Sequence, residues 1–128
     1  MSDWSPPLMA LLALERRLER GPKREGAFAL WLTVRLALDI GTQPGAVEKP
    51  DRRRVALLSQ RMTQLVVPRP LGRGLAAALG HLENATPEGA RIALTQLVAP
   101  ARDALGSEAG DAVALAARSL ASPGDEAR

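Results

Sequence analysis

The sequence predicts an all-α protein, a single-domain bundle of about six helices arranged as three antiparallel hairpins. Apolar residues recur every three or four positions along the 128 residues, and no stretch alternates convincingly with the period of two typical of strands. Aromatic residues, which favour strands, are limited to one Phe and two Trp. A chain of this length fits one domain and can bury roughly two-thirds of its unfolded surface. We expect an ordered core over about 5–121 and a flexible C-terminal tail at 122–128.

Capping residues, glycines and prolines divide the chain into these helices. The first is predicted to run from Ser5, which two prolines follow, to about Arg20, where a Gly-Pro pair stops it. The second covers about 24–40 and stops at Gly41.

The third and fourth helices follow a loop with the sequence GTQPGAVEKP. Asp51 is the predicted N-cap of the third helix, and the PRP sequence at 68–70 is expected to end it. Its core stripe consists of apolar residues at helical spacing: Val55, Leu58, Met62 and Leu65. The fourth helix is predicted over about 71–82, with a stripe of leucines.

The last two helices are also marked by capping residues and prolines. Thr86, which stands before a proline, opens the fifth helix, and Pro100 is expected to kink or end it. Ser107 is the predicted N-cap of the sixth helix, which stops near the SPG sequence at 122–124.

One sequence match indicates an internal repeat. The hexapeptide TQLVVP at 63–68 recurs as TQLVAP at 95–100, and each copy is followed by a turn and a helix of small residues. The match fits duplication of a helix–Pro–helix unit. It equally fits coincidence, because a chain rich in Ala, Leu and Arg produces such matches by chance.

The second predicted helix has apolar residues on every face, which is typical of a helix buried in a core or an interface. A small domain has little room to enclose such a helix completely. Three interpretations are open: a central core helix, a helix at an oligomer interface, or the wall of a binding groove. For a dimer, the expected interface residues are Phe28, Trp31, Leu32 and Leu36. Arg35 and Asp39, one turn apart, are expected to pair with each other.

Two predicted helices carry rows of small side chains. The rows are Gly72, Ala76 and Gly80 in the fourth helix, and Ala109, Ala112 and Ala116 in the sixth. Such rows let two helix axes approach closely, so that dispersion contacts replace large side chains. We expect tight packing within the chain, with a subunit contact as the alternative.

Charge is distributed unevenly along the chain. Residues 1–73 contain 13 basic and 7 acidic side chains, a net charge of +6, whereas residues 74–128 contain 4 and 7, a net charge of −3. An uneven distribution of this kind indicates where a charged partner would bind.

Arginines concentrate between residues 52 and 73. Three of them would lie in the first turn of the third helix, where each opposes the helix dipole by a few tenths to about 1 kcal/mol. The candidate phosphate-binding residues are Arg52, Arg53, Arg54, Arg61, Arg69 and Arg73. Three interpretations remain open: a solvated basic face, contact with a nucleic-acid backbone, and contact with an acidic protein. The region has no aromatic residue to stack on a base and no helix-turn-helix signature.

The sequence is poor in residues that catalyse reactions. It has no Cys, and its one histidine, His81, is placed to cap the end of the fourth helix. Glu15 and Glu19 are one turn apart and are expected to meet nearby arginines instead of a metal ion. The GRGLAA sequence at 72–77 fits a phosphate-binding fingerprint but lacks the preceding strand. We therefore expect no enzymatic activity, no cofactor, no metal and no small-molecule substrate.

Targeting signals are not recognisable in the sequence. The N-terminus has an acidic residue before its apolar run and lacks the basic region of a signal peptide. The longest strongly apolar stretch, residues 27–40, is too short and too polar to cross a bilayer. We expect a cytoplasmic protein without a membrane partner.

Together, these features predict a non-catalytic helical interaction module that self-associates or serves as a small subunit of a larger assembly. The alternative is a sequence-nonspecific subunit that binds the nucleic-acid backbone through the basic residues 52–73.

Overall fold

A computed structural model describes residues 5–41, 49–83 and 86–120, with residues 5 and 49–52 described by their backbone alone. The described residues form six α-helices and no strand, which confirms the predicted all-α bundle. The helices are α1 (Ser5–Arg17), α2 (Pro22–Gly41), α3 (Lys49–Met62), α4 (Arg69–Leu82), α5 (Pro87–Leu105) and α6 (Ser107–Leu120). The predicted flexible tail at 122–128 lies outside the described residues.

α2 is the central helix of the bundle. It contacts each of the other five helices, and Leu30, Val34 and Leu38 on it are completely buried. Its one buried polar side chain among the described residues, Thr33, donates its hydroxyl hydrogen to the carbonyl of Ala29 at 2.9 Å. This bond satisfies the hydroxyl inside the apolar core, as burial requires. The apolar side chains predicted all around the helix are therefore mostly core residues.

α3 lies at the edge of the bundle. Among the described residues it contacts α2 and α4 and no other helix. Val55 and Leu58 are buried among its described side chains, and they join the same hydrophobic cluster as α2. Arg54, near its start, meets the end of α2, and Arg61, near its end, meets the start of α2. α3 therefore runs antiparallel to α2.

The first helix ends earlier than the sequence predicted. α1 ends at Arg17 instead of Arg20, and the N–H of Leu18 is shared between the carbonyls of Leu14 and Glu15. A shared bond of this kind is common where a helix ends. Gly21 then turns the chain with φ of +146°, a backbone conformation that residues with a Cβ rarely adopt, and α2 begins at Pro22.

Both predicted ends of the third helix were misplaced. α3 begins at Lys49, so Asp51 lies inside the helix and is not its N-cap. α3 ends at Met62, because the N–H and the hydroxyl of Thr63 both donate to the carbonyl of Gln60, at 3.3 and 2.7 Å. The prolines of the PRP sequence come after this end and mark the start of α4 instead.

α3 begins at Lys49, before the predicted N-cap Asp51, so its arginines lie further from the helix start than the sequence predicted. Arg53 and Arg54 are the fifth and sixth residues of α3, in its second turn. The dipole of a helix acts mainly on its first turn. The unfavourable electrostatics predicted for this cluster are therefore smaller than the sequence suggested.

Pro100 does not end α5, which continues to Leu105. Its ring packs against Gly74 of α4, where an added Cβ would lie 2.7 Å from both Cβ and Cγ of the proline. The absence of a side chain at Gly74 lets α4 and α5 approach at this point. At the other end of α5, the side chain of Thr86 accepts a hydrogen bond from the N–H of Gly89 at 3.0 Å, as an N-cap does.

The two similar hexapeptides have different conformations. Residues 63–68 form the turn and the connection that follow α3, whereas residues 95–100 are helical within α5. The two copies therefore do not mark a duplicated helix–Pro–helix unit in the fold.

Two glycines of α4 provide a test of the α4–α5 contact. We expect Gly80→Ala to raise the free energy of unfolding by about 0.5–1 kcal/mol, because alanine favours the helix and no atom lies within 4 Å of the added Cβ. We expect Gly74→Ala to lower it by about 1–3 kcal/mol, because a proline ring inside a helix has little freedom to move aside. Urea unfolding followed by circular dichroism measures both. Equal stabilisation by the two variants would contradict the close contact with Pro100.

Candidate interaction surface on α2 and α3

α2 and α3 each present one stripe of residues at helical spacing, and the two stripes lie next to each other. The spacing of three or four residues places the members of each stripe on one helix face. We call the combined patch the α2–α3 surface; it consists of Phe28, Leu32, Arg35, Asp39, Arg54, Leu57 and Arg61.

A shallow groove of about 290 Å³ runs between the two stripes. Its floor includes Leu36 and Leu58, which are buried, and Leu32, which is half-buried. Leu57 lines the groove from α3, and 59% of it is exposed. The centre of the α2–α3 surface is therefore apolar and accessible.

Three arginines surround this apolar centre. Arg35 and Arg61 lie over aromatic rings, with the guanidinium carbon 5.4 Å from the ring centroid of Trp31 and 5.9 Å from that of Phe28. Arg54 donates a hydrogen bond from Nη2 to Oδ2 of Asp39 at 2.8 Å. A guanidinium stacked on a ring retains the N–H donors in its own plane, and these can bind carboxylate or phosphate oxygens. With three arginines and one aspartate, the α2–α3 surface carries a formal charge of +2.

Trp31 supports this surface from beneath Arg35. Its Nε1 is buried and has no hydrogen-bond acceptor in the part of the chain that the structure describes. Since the N–H is inaccessible, Trp31 contributes its ring face to Arg35 and its remaining apolar surface to the core. Trp31 therefore supports the guanidinium of Arg35 at the rim of the groove.

The structure brings together two sets of residues that the sequence treated separately. Of the predicted interface residues, Phe28, Trp31 and Leu32 are half-buried, whereas Leu36 is only 3% exposed and belongs to the core. Beside them lie two of the predicted phosphate-binding residues, Arg54 and Arg61. The apolar and the basic predictions therefore converge on one surface.

Sequence reasoning missed the roles of Arg35 and Leu57. Arg35 was expected to pair with Asp39, but Asp39 accepts a hydrogen bond from Arg54, and Arg35 stacks on Trp31. Leu57 directly precedes the buried Leu58, and consecutive helix residues point about 100° apart, so a helix packed on one side commonly exposes one of two such neighbours. That neighbour was the signal by which the exposure of Leu57 could have been predicted.

The remaining candidate phosphate-binding residues are spread over other parts of the molecule. Arg53 is exposed on α3, and Arg69 and Arg73 are exposed at the start of α4. The side chain of Arg52 lies outside what the structure describes. The predicted set is therefore divided between two helices.

A second groove, of about 610 Å³, separates α3 from α4. The small residues Gly72, Ala76 and Gly80 line it, so the tight packing expected for this row is wrong. Close packing of α4 occurs instead at Gly74, on its α5 side. The row in α6 behaves as expected, because its three alanines are buried: Ala109, Ala112 and Ala116.

The titratable groups that the sequence singled out make ordinary contacts in the described part of the chain. Nε2 of His81 lies 3.0 Å from Oε1 of Gln96, so this side chain links α4 to α5 instead of capping its own helix. Glu15 accepts a hydrogen bond from Nε of Arg24 at 3.3 Å, in agreement with the expected carboxylate–arginine contact. Within residues 5–41, 49–83 and 86–120, no group of three or more metal-binding side chains is close enough to hold an ion.

Comparisons with known proteins add no assignment. No protein-family model, no curated protein and no solved structure matches the chain. None of the helices in the described ranges combines the length and the hydropathy needed to cross a membrane.

The contact between Asp39 and Arg54 can be tested by a double-mutant cycle. The two side chains are 25% and 43% exposed, so we expect a coupling energy of a few tenths to about 1 kcal/mol between Asp39→Asn and Arg54→Gln. Arg53→Gln is the matched control, and its coupling to Asp39→Asn should be close to zero. Equal coupling for the two arginines would contradict a specific contact between Arg54 and Asp39.

Proposed function

We propose that the protein is a non-catalytic helical interaction module that binds another protein through the α2–α3 surface. The exposure of Leu57 at the centre of a groove rimmed by arginines is the observation that supports this proposal most directly. The chain would then act as a small subunit of a larger assembly.

A single exposed leucine is ordinary on protein surfaces. Leu57 differs in its surroundings, because Leu32 lies half-buried beside it and Arg35 and Arg61 stand at the edges of the same groove. Protein interfaces commonly have this organisation, with apolar anchors at the centre and a polar rim in which arginine is enriched. The stacking on Trp31 and Phe28 also limits the side-chain entropy that the two arginines lose on binding.

Purification from the native host, with and without nuclease treatment, tests the proposal. We expect a partner protein to copurify with the wild-type chain after nuclease treatment and to be lost with Leu57→Gln, because the variant places an amide in the apolar centre. Val66→Gln is the matched control, since Val66 is 65% exposed and lies in the connection between α3 and α4. It should retain the partner.

Circular dichroism of both variants establishes that the fold is intact. Retention of the same partner by a folded Leu57→Gln variant would contradict the proposal. Loss of the partner on nuclease treatment alone would favour the nucleic-acid alternative.

The alternative function is sequence-nonspecific binding of a nucleic-acid backbone. It is supported by the exposure of Arg53, Arg69 and Arg73, none of which forms an ion pair with a described residue. Against it, an arginine lies over one face of each aromatic ring, Phe28 and Trp31, and a base cannot stack on that face.

Fluorescence anisotropy with a labelled duplex separates the two functions. Under the proposed function we expect no measurable binding near physiological salt. If the arginines neutralise phosphates, binding should instead weaken with salt with a log–log slope of about −3 to −5. A slope of that size, reduced by Arg69→Gln and Arg73→Gln, would establish the alternative.

A further inference from the structure

We infer that the occupant of the α2–α3 surface is an acidic amphipathic helix supplied by a different protein. The inference rests on the proposed function and specifies the chemistry of the partner. It is supported by the charge of the surface, the spacing of its side chains and the direction of its two helices.

The charge of the surface favours an acidic occupant. Arg35 and Arg61 form no ion pair with any described residue, and Asp39 is the surface's one acid. Carboxylates of a partner would meet guanidinium donors that aromatic rings already hold in place. Complementary charge of this kind raises the association rate and excludes basic partners.

The spacing of the side chains favours a helix. Leu57 and Arg61 are four residues apart on α3, which corresponds to about 6 Å along the helix axis. A helix laid along the groove can match this spacing, with an apolar residue beside Leu57 and a carboxylate three or four positions away beside Arg61. α2 and α3 run antiparallel and form the two walls, so a third helix can lie along both.

The charge of the surface also argues against a second copy of the chain. In a two-fold symmetric dimer, each patch faces its own duplicate. Six arginines and two aspartates would then meet at one interface. Like charges placed together in this way oppose association.

A nucleic acid fits this surface less well than an acidic helix. A phosphate backbone would satisfy the arginines but would leave Leu57 and Leu32 facing a charged, hydrated strand. The apolar centre therefore selects a partner that has both carboxylates and aliphatic side chains.

A designed peptide serves as the probe, because its binding can be measured before the natural partner is identified. It is a labelled helix of about five turns, with leucines on one face and glutamates three or four residues from them. Two controls are used: the same peptide with lysine in place of glutamate, and a scrambled peptide of unchanged composition. Fluorescence anisotropy with the full chain measures binding.

We expect the glutamate peptide to bind at least about tenfold more tightly than either control, since charge complementarity sets the discrimination. Leu57→Gln, and the pair Arg35→Gln with Arg61→Gln, should each weaken its binding by about tenfold or more. The pair Arg69→Gln with Arg73→Gln is the control of equal charge change and should leave binding by the peptide nearly unchanged.

Several outcomes would overturn the inference. Equal binding of the glutamate and lysine peptides, or no binding of the glutamate peptide, would exclude an acidic helix as the occupant. Sedimentation that shows a dimer lost in Leu57→Gln would identify a second copy as the occupant. Competition by a DNA duplex at physiological salt, with no binding of the glutamate peptide, would identify nucleic acid.

Failure of the acidic-helix inference and failure of the proposed function give different experimental results. If the native partner is lost with Leu57→Gln but the glutamate peptide does not bind, the surface still binds protein and only the acidic-helix inference fails. If Leu57→Gln retains the native partner, the proposed function itself fails.

Discussion

α2 has buried side chains around most of its circumference, and the other five helices are arranged around it. Complete burial of one large aliphatic side chain contributes about 1.5–3 kcal/mol, so a helix with several of them drives the assembly of the bundle. Five helices leave one strip of α2 incompletely covered. Phe28, Leu32 and Arg35 lie on this strip, and α3 borders it without closing it. The candidate surface is thus a consequence of how the core is completed.

The parts of the fold that depend on local periodicity could be predicted from the sequence. The spacing of apolar residues predicted the helical class and the number of helices, and Thr86 was recognised as a cap. The end of α3 could not be predicted, because it depends on the bonds from Thr63 to the Gln60 carbonyl. Pro100 was misjudged for a different reason: its place inside α5 depends on a contact with Gly74, which is distant in sequence.

The candidate site also depends on contacts between residues that are distant in sequence. Helical spacing shows which residues share a face, but it does not show which helix lies beside that face. The sequence therefore indicated an apolar set around Leu32 and a basic set around Arg61, without placing them together. Only the antiparallel arrangement of α2 and α3 unites them. Arg69 and Arg73 belong to α4 and do not line the groove between α2 and α3.

Hydroxyl-radical footprinting tests most directly whether the uncovered strip of α2 and its α3 border form the binding surface. The chain is labelled in its native assembly and again after purification to a single component. We expect Leu32 and Leu57 to be labelled less in the assembly. Met9 and Val66, which are 66% and 65% exposed and lie outside the α2–α3 surface, should be labelled equally in both samples. Protection of Met9 or Val66 with unchanged labelling of Leu57 would contradict this account.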